Sequence, residues 1–197
     1  MTVSTAPAVD ERRRDPERTR ERILNAALAE FAAGGLAGAR IQSIARRAGV
    51  NARMLYHYFG EKDDLFRAIV RRRMAERPVT MTGSLSDWFR KVSGNPDWVR
   101  LGQWEALESA EEECVDEDLR RERWAAAVDR IRVQQAGGRM PADLDPDLLL
   151  IAVLSLVTYP VAARPVVRMI TGANPEEAAF KRRYAEFLDR LSEYLGA

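Results

Sequence analysis

Side chains that can donate hydrogen bonds to phosphate oxygens and to the edges of DNA bases are concentrated between residues 42 and 57 of this 197-residue chain. They belong to residue types that make most protein contacts to nucleic acids, namely arginine, glutamine, tyrosine and histidine. The set consists of Gln42, Arg46, Arg47, Arg53, Tyr56 and His57. These types predict binding to a nucleic acid, provided that the backbone presents them on one surface.

Apolar residues repeat at helical spacing on both sides of Gly49, which offers the left-handed conformation that ends a helix. Asn51 can cap a second helix just after it. The repeating apolar positions are Ile41, Ile44, Ala45, Ala48, Leu55, Tyr58 and Phe59. Two short helices joined by a tight turn are the form in which a second helix enters the DNA major groove.

The basic charge is segregated to the N-terminal part of the chain. Residues 1–77 contain 16 Lys and Arg residues against 10 Asp and Glu residues, whereas residues 78–197 contain 15 against 20. The net charge of +1 therefore combines a positive part, which would attract phosphate, with an acidic part, which would be held away from it. An asymmetry of this size also arises by chance, so charge alone does not decide for nucleic acid.

Asx-Pro pairs mark helix starts along the chain, and glycines mark helix ends. The residues between these signals repeat at helical spacing, and no segment alternates as a strand would. We therefore predict an all-α fold of about nine helices, at residues 16–33, 41–48, 52–59, 62–77, 85–93, 96–113, 117–136, 146–171 and 175–195. The pairs are Asp15-Pro16, Asn95-Pro96, Asp145-Pro146 and Asn174-Pro175, and Ser84 with Asp87 resembles a capping box.

These predicted helices divide the chain into three regions. Residues 1–14 have little to bury, so we expect a flexible basic tail, whose arginines either reach a DNA minor groove or stay solvated. Residues 15–61 would form a helix-turn-helix DNA-binding domain of three helices. Residues 62–197 would form a second helical domain, joined to the first through the helix that begins at Lys62.

The most apolar stretch of the chain, residues 148–163, is too short to span a bilayer comfortably, which takes ~20 residues. It is apolar on nearly every side and must be covered on every side. The final predicted helix has one apolar face, formed by Phe180, Tyr184, Phe187, Leu188, Leu191 and Leu195. Helices 146–171 and 175–195 would therefore pair with a second copy in an intermolecular four-helix bundle, or else fill the core of a monomer.

Residues 15–64 resemble the DNA-binding domain of the tetracycline-repressor-like (TetR/AcrR) transcriptional regulators. The resemblance is carried by Ile44-Ala45, Ala48-Gly49-Val50, Leu55-Tyr56-His57-Tyr58-Phe59, Lys62 and Leu65 at these spacings. The remaining helices resemble the family's regulatory domain in number, order and final dimerising pair. The resemblance implies a homodimer whose recognition helices, here residues 52–58, enter successive major grooves of a palindromic double-stranded operator.

Candidate DNA contacts follow residue by residue from the matched positions. Arg53, in the first turn of the recognition helix, could make a bidentate contact to guanine, worth ~1 to 3 kcal/mol of discrimination. Tyr56, His57 and Lys62 match positions that meet phosphates or bases. Tyr58 could pack in the core or point its hydroxyl at the duplex. The full set is Arg40, Gln42, Ala52, Arg53, Tyr56, His57, Tyr58 and Lys62.

Two positions depart from the family's pattern. Arg40 stands where the family commonly has a threonine that caps the second helix, so a cap is lost and a cation directed at phosphate is gained. Glu61 replaces the usual Ser or Asn cap before Lys62. A carboxylate there favours the helix N-terminus but disfavours DNA, which weakens the case for Lys62 as a phosphate contact.

All four tryptophans of the chain lie between residues 88 and 124, in the region where the family builds its inducer cavity. We expect a small-molecule site lined by Trp88, Leu101, Trp104, Glu108, Trp124 and Tyr159. The alternative is that these large side chains belong to the core, which is where aromatic residues on amphipathic helices usually lie.

Other functions find little support in the residues. One cysteine, Cys114, and one histidine, His57, cannot assemble a Cys/His metal cluster, and no nucleophile-base pair or phosphate loop stands at a meaningful spacing. We therefore expect that the protein is not an enzyme and that it binds neither a metal nor a cofactor. The chain shows no secretion signal, so the cytoplasm is the expected location. A helical adaptor that keeps the DNA-binding shape without using it is the remaining alternative.

Overall fold

The computed structural model of the chain describes residues 9–76, 84–108 and 114–194, and within these ranges it contains ten helices and no strand. The predicted all-α fold is therefore confirmed. The helices are α1 (Val9–Gly38), α2 (Ile41–Ala48), α3 (Ala52–Phe59), α4 (Lys62–Glu76), α5 (Leu85–Ser93), α6 (Asp97–Glu108), α7 (Glu117–Ala136), α8 (Pro146–Ala162), α9 (Arg164–Thr171) and α10 (Ala178–Tyr194).

Helix α1 begins at Val9, so the predicted start of this helix at residue 16 was wrong. Residues 11–14 are Glu and Arg, which are good helix formers, and the helix continues through Pro16. Residues 1–8 of the predicted tail lie outside the described residues. At the other end Gly35, with φ of 70°, interrupts the helical conformation at the predicted stop.

The contacts within the chain divide it into two units, Met1–Arg72 and Arg73–Ala197, with the division inside α4. In the first unit α1 packs on α2, and the rings of Phe31 and Phe66 meet edge to face at 5.4 Å between centroids. Ile44 and Leu55 are fully buried, as the repeat of apolar residues predicts. The predicted boundary between residues 61 and 62 stays a prediction.

The core of the second unit is built from α5, α7, α8 and α10. Ile131 of α7 packs with the N-terminal half of α8, while Phe89 of α5 and Leu188 of α10 pack with Val157 further along that helix. The predicted capping box at Ser84 and the predicted cap at Asp145 are both present. Helix α8 thus packs against α5, α7 and α10 through its buried residues, while Leu148, Ile151 and Tyr159 on the same helix stay exposed.

The predicted helix 146–171 is two helices, α8 and α9, which are bent by 86° where they meet at Ala163. Pro165 explains the break, because inside a helix its ring would clash with the carbonyl four residues earlier, whereas the first turn of a new helix tolerates it. Among the described residues no single helix is long and apolar enough to cross a membrane, and only this bent pair passes that test of length and composition. Helix α10 also begins later than predicted, at Ala178.

Pro160 lies inside α8 and has no N–H to donate to the carbonyl of Leu156, four residues earlier. The hydroxyl of Tyr184, on α10, donates to that carbonyl oxygen at 2.9 Å. The phenol is half-buried, and burial raises the pKa of Tyr184 above its ordinary value. A side chain of α10 therefore supplies the hydrogen bond that the proline removes.

Replacing Tyr184 with phenylalanine should lower the free energy of unfolding by about 1 kcal/mol, because the Leu156 carbonyl loses its donor. The same substitution in a Pro160→Ala background should cost clearly less, since the backbone N–H gained at position 160 can bond to Leu156. Urea unfolding of the four proteins at one protomer concentration measures this cycle. An equal cost in both backgrounds would show that the hydroxyl does not replace the missing helical bond.

Candidate nucleic-acid interface

The turn between α2 and α3 depends on Gly49, whose φ of 66° and ψ of 38° lie in the left-handed region. The N–H of Val50 donates to the carbonyl of Ala45 at 3.0 Å, which closes the end of α2. A side chain at Gly49 would meet only ordinary contacts, so its backbone conformation is what requires glycine. The chain therefore turns sharply and starts α3 at Ala52, three residues later.

Helix α3 is fixed at its start and along its inner side. The side-chain oxygen of Asn51 accepts a hydrogen bond of 2.9 Å from the N–H of Met54, as the sequence predicts for a cap. Leu55 is buried, which turns the opposite face of the helix outward. Arg53, Tyr56 and His57 lie on that exposed face. The structure thus presents together the three side chains that the sequence assigns to base and phosphate contacts.

The other two candidate positions on α3, Ala52 and Tyr58, are half-buried. The ring of Tyr58 meets that of His57 edge to face at 5.8 Å between centroids. Next to it, the guanidinium of Arg20 lies 5.2 Å from the centroid of the Phe59 ring, a cation-π contact that ties the end of α3 to α1. The sequence analysis missed this contact, because nothing local connects residues 20 and 59.

Helix α2 adds a row of exposed polar residues, formed by Gln42, Arg46 and Arg47. Arg40 stands at its N-cap in an extended conformation, and its side chain makes no capping bond, as expected from the loss of the family's threonine. The backbone N–H of Arg40 donates instead to a carboxylate oxygen of Glu30 at 3.4 Å. The Arg40 side chain is exposed, so its guanidinium can reach a phosphate.

Lys62 has protein partners as well as a predicted role at DNA. Its ammonium donates to the carbonyl oxygens of Ala37 and Ala39, at 3.4 and 3.5 Å. These carbonyls belong to the last turn of α1 and to the residue that follows the helix, so the lysine holds the end of α1 against the start of α4. A phosphate contact by Lys62 remains a prediction, and the structure shows that the side chain is already engaged.

Glu61 lacks the Ser or Asn side chain that usually caps the start of α4. The side chain of Asp64 makes a hydrogen bond there instead, which the sequence did not predict. The carboxylate of Asp64 accepts a hydrogen bond of 3.2 Å from the N–H of Glu61. Gly60 has φ of 81°, and a Cβ there would lie 2.8 Å from that carboxylate. Glycine at this position is therefore required by its backbone conformation, whereas a Cβ would only have to displace the end of the Asp64 side chain.

The six residues predicted to line an inducer cavity differ in how far they are buried. Leu101 is buried. Trp88 packs against the core residues shared by α7 and α8 and against those shared by α5, α8 and α10. Both residues therefore agree with the alternative that these side chains belong to the core. Trp104 is half-buried, and the remaining three, Glu108, Trp124 and Tyr159, are exposed. Tyr159 lines a groove of about 320 Å³ beside α9 and α10. A ligand site formed by all six residues stays a prediction.

Two further contacts in the second unit hold the last turn of α4. The guanidinium of Arg73 lies 4.9 Å from the centroid of the Trp98 ring on α6. Arg123, on α7, donates to the carbonyl oxygen of Met74 at 2.8 Å. Burial, together with the nearby charge of Arg130, lowers the pKa of Arg123. Arg123 thus satisfies one of the carbonyl groups that a helix leaves unpaired at its C-terminal end.

Helices α6 and α7 are joined to each other by an ion pair. Arg120 and Glu105 form a bidentate pair with both nitrogen-oxygen distances at 2.7 Å, and both side chains are mostly buried. The pair lies one residue from Trp104 and four from Trp124 in the sequence. Trp104 and Trp124 therefore lie on two helices that are joined to each other near these residues.

Comparison with known proteins agrees with this geometry. Residues 23–69 match the model of bacterial regulatory proteins of the tetR family, and residues 83–190 match that of the tetracyclin repressor-like C-terminal domain. The HTH-type transcriptional repressor SCO4008 of Streptomyces coelicolor is 31% identical over 166 residues, covering 81% of this chain and 86% of the relative. The HTH-type transcriptional repressor AcnR of Corynebacterium efficiens is 28% identical, covering 82% of this chain and 87% of the relative.

The solved structures give the same result. The putative transcriptional regulator SCO4942 of Streptomyces coelicolor has a TM-score of 0.69 and 26% identity, and the match covers 88% of this chain and 97% of that one. The chain is therefore a DNA-binding transcriptional regulator with a helix-turn-helix, and not an enzyme. It belongs to the TetR family, as the resemblance in residues 15–64 predicts.

Proposed function

We propose that the protein is a homodimeric repressor that binds a palindromic operator and is released from it by a small molecule. The observation that carries the DNA-binding part is the exposed face of α3, where Arg53, Tyr56 and His57 stand together on a helix fixed by Asn51 and Leu55. The names of the relatives as repressors support the direction of regulation. A protein that acts on chromosomal DNA would work in the cytoplasm.

The roles on DNA can be divided by chemistry. Arg53 is the one arginine on α3, and its forked guanidinium suits a guanine in the major groove. The arginines of α2, together with Arg40, would contact the phosphate backbone and set the register of the protein on the duplex. Gln42 and Tyr56 could contact either a base or a phosphate, and Ala52 could contact a thymine methyl group.

Dimerisation is supported by an apolar surface that the monomer leaves uncovered. On α8 the exposed positions Leu148, Ile151 and Tyr159 follow one stripe, and on α10 Phe187 and Tyr194 follow another, with Tyr194 89% exposed. Isolated exposed apolar residues are ordinary, but such stripes on two neighbouring helices mark an interaction surface. A two-fold symmetric partner would cover both stripes with the same surface of the second copy.

Release by an inducer would act through the contacts at the end of α4. Arg73 packs on Trp98 of α6, and the Met74 carbonyl accepts from Arg123 of α7. A ligand that displaced α6 or α7 would therefore change the last turn of α4, the helix that also carries Lys62 at its start. The ligand can shift the population only by the difference in its affinity for the two arrangements.

A helical adaptor without an inducer is the second candidate. Its support is the near-neutral net charge of the whole chain. The two candidates differ in their behaviour with salt, because a DNA-binding protein loses affinity as salt rises in proportion to the phosphates that it contacts. An adaptor would have no affinity for DNA at any salt concentration.

Replacing Arg53 with alanine should weaken binding to the operator by about 10- to 100-fold, while binding to unrelated DNA should change little, since the contact reads a base. Tyr56→Ala should weaken binding too. Arg90→Ala removes an exposed arginine of the second unit and serves as the control of equal charge change. Gel-shift titrations on the promoter region next to the protein's own gene, at several salt concentrations, measure these affinities. Binding that ignores sequence and both α3 substitutions would contradict the proposal.

Replacing Ile151 with aspartate should convert the dimer to a monomer, because a charge would be buried in the apolar interface. Val133→Asp is the matched control, since Val133 is 64% exposed on α7 and Ile151 is 59% exposed on α8. Sedimentation equilibrium would report the masses, and the operator affinity of the Ile151 variant should fall with its dimer fraction. A wild-type monomer, or an Ile151 variant that stays dimeric, would refute dimerisation through α8.

A further inference from the structure

A groove opens where α8 turns into α9 beside α10. Its volume is about 320 Å³, which lies at the lower end of the range for small-molecule sites. Four aromatic side chains supply much of its wall, and one lining residue, Arg183, carries a charge. The lining consists of Tyr159, Pro160, Val167, Ile170, Thr171, Phe180, Arg183, Tyr184 and Phe187.

The wall formed by α10 is an ordered aromatic stack. The rings of Phe180 and Tyr184 are nearly parallel, with an interplanar angle of 10° and 5.8 Å between centroids. Phe187 continues the row at 5.8 Å from Tyr184. The hydroxyl of Tyr184 is committed to the Leu156 carbonyl, so its ring is held in place. The groove is therefore shaped by a fixed set of flat apolar surfaces.

The charged residue of the lining, Arg183, indicates which chemical group a ligand of this groove would carry. Arg183 is exposed, and no carboxylate within the described residues forms an ion pair with it. By contrast Arg164, at the start of α9, is paired with Glu176. The guanidinium of Arg183 is therefore available to a ligand, and a carboxylate could accept two parallel hydrogen bonds from it.

We propose that this groove binds a small amphipathic carboxylate, whose aromatic or aliphatic body lies along Phe180, Tyr184 and Phe187 and whose acid group meets Arg183. The effect of such a ligand on DNA binding rests on the proposed function. Tyr159 and Phe187 belong both to the groove and to the apolar stripes assigned to the second copy. A bound acid would thus touch the dimer surface and change how the two copies meet.

The test uses the full-length protein and two soluble probes of nearly equal shape, 4-phenylbutyrate and 4-phenylbutan-1-ol. Titration calorimetry and saturation-transfer NMR should show that the acid binds at least about tenfold more tightly than the alcohol, because only the acid is an anion. Arg183→Gln should abolish that difference. Arg182→Gln removes the neighbouring exposed arginine, which does not line the groove, and should keep the difference.

A second pair of variants tests the apolar part without disturbing the core. Ile170 and Met169 are 75% and 74% exposed, and only Ile170 lines the groove. Ile170→Ser should weaken binding of the acid several-fold, and Met169→Ser should not. Failure of the acid to bind, equal binding of acid and alcohol, or equal effects of the two members of either pair would overturn the proposal.

Two outcomes separate this proposal from the others. Binding of the acid only to the Ile151→Asp monomer would show that the second copy occupies the groove, which would also overturn the proposal. A protein that binds its operator normally but ignores the acid would lose this inference and keep the proposed function. Loss of all operator binding would instead remove the proposed function, whatever the acid does.

Discussion

The length of α3 limits what one copy of this protein can read. Eight residues make a helix of about two turns, and one side of this helix packs Leu55 and its neighbours into the core. That leaves Arg53, Tyr56 and His57 as the exposed polar side chains of the helix. Each good contact to a base is worth ~1 to 3 kcal/mol, so a single copy would discriminate weakly between sequences.

This constraint gives the second unit its importance for DNA reading. Two short recognition helices gain specificity only if they are held at a fixed separation, so the proposed dimer surface on α8 and α10 matters as much as α3. The hydrogen bond from Tyr184 to Leu156 contributes here, because it joins these two helices at the place where Pro160 would weaken α8. In the proposed dimer, the stability of the second unit would then affect the sequence specificity of the first.

Local chemistry explains which parts of the fold could be predicted from the sequence. Gly49, Asn51, Ser84 and Asp145 act on residues within a few positions of themselves, and all four turns or caps are present as predicted. The start of α1 was misplaced because an Asx-Pro pair is compatible with a helix that passes through it. The break between α8 and α9 was missed because an apolar run hides the conflict between Pro165 and a continuing helix.

The contacts that the sequence could not reveal join residues far apart in the chain. Tyr184 reaches Leu156, Arg123 reaches Met74, and Lys62 reaches Ala37 and Ala39, none of which is marked by a local pattern. Lys62 shows the limit most clearly, since the family resemblance assigns it to phosphate while the structure engages it with backbone carbonyls. The exposure of Arg53, Tyr56 and His57 on α3 was predictable, because it follows directly from the buried position of Leu55.

If sequence reading depends on two copies held at one spacing, a change in the spacing of the operator half-sites should remove it. Duplexes that carry the two half-sites with about 5 base pairs inserted between them rotate one half-site by about half a helical turn. Fluorescence anisotropy should then show affinity close to that of a single half-site, even though both half-sites are intact. Unchanged affinity at the altered spacing would contradict the claim, because each copy would then be reading DNA on its own.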